Sequence, residues 1–589
     1  MVGGGLANII GNTLTGGRAS GGGSPPADPA LILKYVTTTP SESIEIRGGG
    51  TLGYNYDVDW GDSSSDTSVT TNTKTHTYSV AGTYTVKITG AFPHPHFGVM
   101  SATDREKIVE LSNWGDIQYT KLHSAFSNCI NMEYAATDTP DLSAAAANTG
   151  NMMRFCFNNC TGITNPMDLS NWTNLECIGN FGLNSFLLGA TNVPYVNMSG
   201  WNMPNNSNAV SCFTSVGSNL TNGCDFILNN MTWGAVTGLN SFMFGVKIKT
   251  LSINNWTLPT SGTLNISSFL YNATANVPGS IDLDLSGWTN TARITIMTNF
   301  LRASSVTSSP FSSINTTGWD TSNISALNFS FYRAAYLTDI IGLDGWKGDS
   351  VTTLQGAWED CRSLNFTNYN FDTTLWGNSL TNLTGNMSNC FLRVSSNNAG
   401  AAPNITNWNT SNVTNMQNLF FGVSFTTNPD ISTWDFSSVT NLSQFIRDSA
   451  GITSATFNNI SSACVNFNSK IRGSEIVTIV YNSNCDLSAI NTYTHYAFNT
   501  SSLVNQTFDS GASFAAVTTF ANAWNGTSMN TASYDVILVR CEATNSNTIV
   551  GAFGANNTKY TKAPSAAETA RAALIADHGW TFSDDGPTP

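Results

Sequence analysis

The sequence predicts a mainly β protein with short helical turns, in which a β-sandwich leads into a long repeat solenoid closed by a helical C-terminal cap. Three observations carry this. Trp recurs at 172, 201, 233, 256, 288, 319, 346, 376, 408 and 434, a mean spacing of roughly 29 residues, and a period of about 20–30 residues is that of a solenoid coil. An aromatic side chain follows twelve positions after many of these Trp, at Phe213, Phe300, Phe331, Trp358 and Phe420, with Phe186, Phe269 and Phe445 within two of that offset. Finally, only 11% of residues are charged while 41% are hydrophobic, and Asn, Ser, Thr and Gly supply the polarity. That composition suits a turn-rich solenoid, whereas a disordered chain would be more charged and less apolar.

Residues 1–28 form a Gly-rich leader with Leu6, Ile9, Ile10 and Leu14 as its few apolar anchors. Alone in water such a segment is flexible; the anchors make it a peptide that could thread into a partner. Residues 29–97 read as strands, with LILKYVTTT and SIEIRG as β-prone runs and Tyr84, Val86 and Ile88 alternating with Thr85 and Lys87. Asp57, Asp59 and Asp62 suit turn and strand-edge capping better than a cation site. His94 and His96 alternate with prolines in FPHPHF; the sequence offers no third ligand beside them, so the stretch reads as a rigid connector. Residues 98–142 form the N-terminal cap of the solenoid, and residues 143–535 the array itself.

Within a coil, a short alternating run such as Ile281-Asp-Leu-Asp-Leu285 reads as a strand of a parallel sheet. After the Trp, Thr-Ser-Asn offers side-chain oxygens to cap a helical turn. Val-x-x-Met-x-x-x-Phe then lines one face of that turn, which only the next coil can cover. Past Phe445 the Trp is lost, but ITSATF, EIVTIVYN, SSLVNQTF and YDVILVR still read as coil strands. Residues 536–589 end the chain as a cap: Ser565 and Glu568 suggest a capping box, AAETARAALIAD a short amphipathic helix, and Gly579 its C-terminal residue.

These motifs carry two resemblances. Trp60-Gly61-Asp62, His76-Thr-Tyr78 and Gly82-Thr-Tyr84-Thr-Val86 resemble a polycystic-kidney-disease (PKD) type β-sandwich, with Ser63 where that family usually has Gly. The key positions are Trp60, Asp62, His76, Tyr78 and Tyr84. The array resembles the BspA-like leucine-rich repeat written around W-D-T-S-N-V-T-N-M-x-x-M-F; Trp408–Phe420 and Trp434–Phe445 match best, and coils between 180 and 300 have drifted. The resemblance implies a repeat core built on Trp172, Trp201, Trp256, Trp288, Trp319, Trp346, Trp408 and Trp434, with Phe213, Phe300, Phe331 and Phe420. It also implies a surface or particle protein, since that family includes bacterial adhesins and phage-encoded particle proteins.

The search for chemistry is largely negative. There is no nucleophile elbow, P-loop or His-Glu-x-x-His. Asp282 and Asp284 share one face of a strand, as a polysaccharide hydrolase would need, but exposed strand polarity accounts for them. The net charge of −14 disfavours nucleic acid as a partner. No apolar run is long enough to span a membrane. The eleven Cys follow the repeat (Cys129, Cys212, Cys361 and Cys390 sit beside core aromatics) and read as buried thiols. No enzyme, cofactor or metal is expected. The N-terminus has no apolar secretory leader. The expectation is therefore a virion structural and adhesion protein on the surface of a phage particle. The leader would meet other virion proteins, the solenoid a host surface protein or glycan, and a homo-oligomer would be in keeping. A bacterial cell-surface adhesin and a purely structural particle component are the alternatives.

Overall fold

The computed structural model describes residues 28–147, 149–366, 382–482, 484–508 and 512–589. The leader anchors Leu6, Ile9, Ile10 and Leu14, and Trp376, lie outside them. The chain is mainly β, with a β-solenoid of about 14 turns and helical elements at its C-terminal end.

The first strands are β1 (Leu31–Thr37), β2 (Glu42–Arg47), β3 (Asn55–Asp59), β4 (Ser65–Val69), β5 (Thr73–Tyr78) and β6 (Gly82–Ala91). Every second residue of β1 is buried, as the two-residue side-chain period requires. β1, β3, β4 and β6 pair antiparallel in one sheet, and β2 pairs β5 in another. A short helix, α1 (Ala102–Glu106), precedes β7 (Ile108–Asn113). β7 lies antiparallel to β1 on one side and parallel to β8 (Glu133–Tyr134) on the other. The change from antiparallel to parallel pairing, and so from sandwich to solenoid, therefore happens across one strand of one continuous sheet.

Beyond β8 the coils stack in parallel register. Met167–Asp168, Tyr195–Asn197, Cys224–Ile227, Lys247–Ser252 and Thr274–Ala275 form a five-stranded parallel sheet. Ser454–Phe457, Thr478–Tyr481 and Asn505–Phe508 form a later one. The repeat Trp among the described residues lie inside, none more than 4% exposed, and Phe213, Phe300, Phe331 and Phe420 are at most 1% exposed. Several of these indoles also reach back one coil. Nε1 of Trp201, Trp288, Trp319 and Trp434 donates to the carbonyl of Leu169 (2.8 Å), Ile253 (2.7 Å), Leu285 (2.9 Å) and Ile405 (2.9 Å). Trp233 departs from this register. Asn202 pairs with Thr232 and Met203 with Trp233, so Met231 stands in line with Trp201, and the bridge Thr232–Thr257 puts Met231 in line with Trp256 as well.

The helical turn after the Trp takes the form of successive tight turns. From Phe329 to Ala334, alternate amides donate to the next coil (Phe329 to Gln355, Phe331 to Ala357, Arg333 to Glu359). The amides between them fold back three residues (Ser330 to Leu327, Tyr332 to Phe329, Ala334 to Phe331). This path puts two residues four apart in the left-handed region, Phe329 and Arg333 here, Asn389 and Arg393, then Asn418 and Gly422. Asn and Gly tolerate that region best, which is one physical reason the coils are rich in them. The turn-capping acceptors also differ from expectation. Asp320, Asn409 and Asp435 accept from the amide two residues on. The Thr that follows Asp320 and Asn409 is a rung between coils: buried Thr410 donates to Asp435 O at 2.8 Å and accepts from Asp435 N at 2.9 Å.

The far end closes with helices α2 (Thr531–Thr544) and α3 (Ala566–His578). YDVILVR, expected as a strand, lies inside α2. Asn530 caps it by accepting from Ser533 N at 2.8 Å, and Tyr534, Ile537, Leu538 and Cys541 are buried at helical spacing. In α3, Ser565 accepts from Glu568 N at 3.1 Å and Gly579 turns out of the helix at φ 66°. Asp584 ties both helices together. It takes two hydrogen bonds from Arg571 (2.8 and 2.9 Å) and one from Tyr534 (2.7 Å).

Candidate functional site

Side chains with chemical potential sort first into those already committed to structure. Asp284 Oδ1 accepts from Ser286 N (3.0 Å) and Oγ (2.7 Å), a turn that Asp168, Asn197, Asn315 and Asp430 repeat in other coils. Asp282 Oδ1 accepts from the hydroxyls of Ser312 and Ser313, both at 2.6 Å, which lowers its pKa. A glycosidase acid needs the opposite, a raised pKa, so Asp282 does not fit that role. In the sandwich, Asp57, Asp59 and Asp62 accept from the amides of Ser68, Gly61 and Ser64. Asp62 also holds His76 Nε2 at 2.9 Å; the Ser64 hydroxyl first, and then His76, bring its carboxyl down to about 2. His76 stacks on buried Trp60, Tyr78 donates to Trp60 O at 2.7 Å, and Tyr78 stacks on Tyr84. All eleven Cys are free and buried.

Among the surface grooves of the described residues, one of about 630 Å³ lies on the five-stranded parallel sheet, lined among others by Pro166, Pro194, Tyr195, Asn222, Asp225 and Lys249. Strand register builds it: Tyr195 stands opposite Asp225, which stands opposite Thr250. Asp225 is fully engaged, with Oδ2 2.7 Å from Lys249 Nζ and Oδ1 accepting from Thr250 Oγ1 at 2.7 Å. Lys249 is thereby tethered while its side chain stays half exposed. Burial, and then nearby Asp168, raise the pKa of the Tyr195 phenol, so it stays a donor. The groove thus presents an aromatic body, a hydroxyl and a positioned ammonium. Reading one coil at a time did not reveal it, because its members come from four successive coils.

A second group lies where sandwich meets solenoid. His94 and His96 gain the third imidazole that the sequence did not show, His123 from the N-terminal cap; one ligand atom from each lies within 4.8 Å of the others. Burial pushes His94 and His123 down to about 4 and lowers His96 as well, so all three are neutral near pH 7.

The class these features define is a closed-core repeat solenoid with a surface groove of mixed apolar and polar lining. A family described as Mycoplasma protein of unknown function, DUF285, matches residues 304–384 and 385–534. No curated protein matches the chain, and no solved structure does.

Proposed function

We propose that the protein is a non-enzymatic virion structural and adhesion protein, an appendage, fibre or decoration of a phage particle. In this reading a BspA-like array behind a PKD-type sandwich binds a host surface protein or glycan, and the leader docks to other virion proteins. The observation that carries adhesion is the groove over Tyr195, Asp225 and Lys249. An aromatic face beside a few fixed polar groups is the chemistry that sugar rings and hydroxyls take. A second reading, in which the same solenoid serves as a bacterial cell-surface adhesin, is in keeping with the family match described from Mycoplasma, itself of unknown function.

Adsorption of the purified chain to susceptible cells tests the adhesive claim. Tyr195→Ala is expected to weaken it about tenfold, with folding unchanged because Tyr195 is only half-buried. Failure of the unaltered protein to bind any such cell would leave a purely structural component. Mass spectrometry of purified particles separates the two locations: a chain found only in envelopes of uninfected cells would exclude the virion.

A further inference from the structure

We propose that His94, His96 and His123 form a site for a borderline transition-metal ion of the Zn2+ class, and that the bound ion clamps the sandwich to the first coils. The donors come from both sides of the junction, two from the connector after β6 and one from the N-terminal cap. Their backbone is held in place. Gly49 N donates to His94 O at 3.0 Å and His96 N to Arg47 O at 2.9 Å, while Leu122 N and Ser124 N donate into the next coil on either side of His123.

The hydrogen bonding prepares His94 for metal. Its Nε2 lies 3.2 Å from His123 O. A carbonyl only accepts, so Nε2 carries the proton and Nδ1 keeps its lone pair. An imidazole fixed by N–H···O=C through one nitrogen and free at the other is the usual state of a metal-ligating His. The space between the rings is also kept clear. A Cβ on Gly49 would fall 2.4 Å from His94 Nδ1 and 2.8 Å from His96 Nδ1, so the side chain missing at Gly49 leaves room beside both nitrogens.

The donor set decides the metal class. Three imidazoles without a carboxylate suit Zn2+, Co2+, Ni2+ or Cu2+, not Ca2+ or Mg2+, which want oxygen. Metal–nitrogen bonds of about 2.0–2.1 Å at tetrahedral angles put the nitrogens about 3.4 Å apart, so the donors, now within 4.8 Å, close by about an ångström on binding. Arg47, Lys121 and Arg154 act on these rings as positive neighbours. They weaken the affinity for a bare cation and favour an anion as the fourth ligand. The competing account is that the three rings simply pack together, His94 on His96 at 4.9 Å and His96 on His123 at 5.5 Å.

The test uses the full chain, stripped with chelator and titrated with Co2+ and with Zn2+. Expected are one saturable ion per chain, the visible absorption of four-coordinate Co2+, its displacement by Zn2+, and a rise in melting temperature. His123→Gln and His96→Gln should each weaken binding about tenfold or more, with the metal-free melt little changed. No saturable binding would overturn the site, leaving a ring cluster. Binding of equal strength in both variants would equally overturn it, placing the ion elsewhere. Neither outcome bears on adhesion through the groove.

Discussion

Lys470 is fully buried, in the register that the Asn441–Asn466 pairing gives to Phe445 one coil earlier. Its ammonium lies 3.4 Å from the ring centre of Phe457 and 4.0 Å from that of Phe467, and donates to the Tyr481 hydroxyl at 3.2 Å. Burial drives its pKa down to about 7, while the faces of the rings oppose that fall by favouring the cation. Unfolded, the amine titrates near 10.5, so between about pH 7 and 10.5 the unfolded chain binds a proton that the folded chain does not. Stability therefore rises with pH across that window. We expect Lys470→Met to raise the melting temperature at pH 7, with the gain shrinking as pH approaches 10; calorimetry over that range reads it. Trp288→Phe isolates the indole bond: it keeps a ring in the core but removes the donor to Ile253 O. A loss of about 1–3 kcal/mol in denaturant titration is the expected cost of leaving a buried acceptor unpaired.

At the scale of elements, the C-terminal helices depend on one carboxylate. The Asp584 side chain is 1% exposed and receives both Arg571 bonds and the Tyr534 hydroxyl. Asp584→Ala leaves the guanidinium without its partner, and we expect a loss of about 3–5 kcal/mol, read as release of α2 and α3 in hydrogen exchange before the central coils open. How much of such elements a sequence shows depends on how local their cause is. The strands Leu31–Thr37, Ile281–Asp284 and Thr478–Tyr481 were legible because alternation is local, and α3 because its cap and its Gly lie at its own ends. YDVILVR misled because β-branched residues outweighed a burial period of three and four. Met231 was hidden since only pairing with Trp201 and Trp256 places it in their register. His123 carried no signal next to His94 and His96, because it lies 27 positions past His96 and 29 past His94 in the chain.

Over the whole molecule, each coil bonds to its neighbours, so stability is a sum of local terms and unfolding need not be all-or-none. The buried Cys report this directly. Burial raises the pKa of Cys156, Cys212, Cys361, Cys390 and Cys541 well above the ordinary thiol value, so thiol reagents should leave the native protein unlabelled. Under rising denaturant, we expect labels to appear in spatial blocks along the chain, mapped by peptide mass; simultaneous labelling of every thiol would instead mean one cooperative unit. The rungs that join coils, indole to carbonyl and Thr410 to Asp435, have a further consequence. Because one turn offers the next nearly the same edge it received, a gene could gain or lose a whole turn and still fold. Each such step would move the far tip by about 4.8 Å, making length a quantity that inheritance can adjust like notches on a ruler.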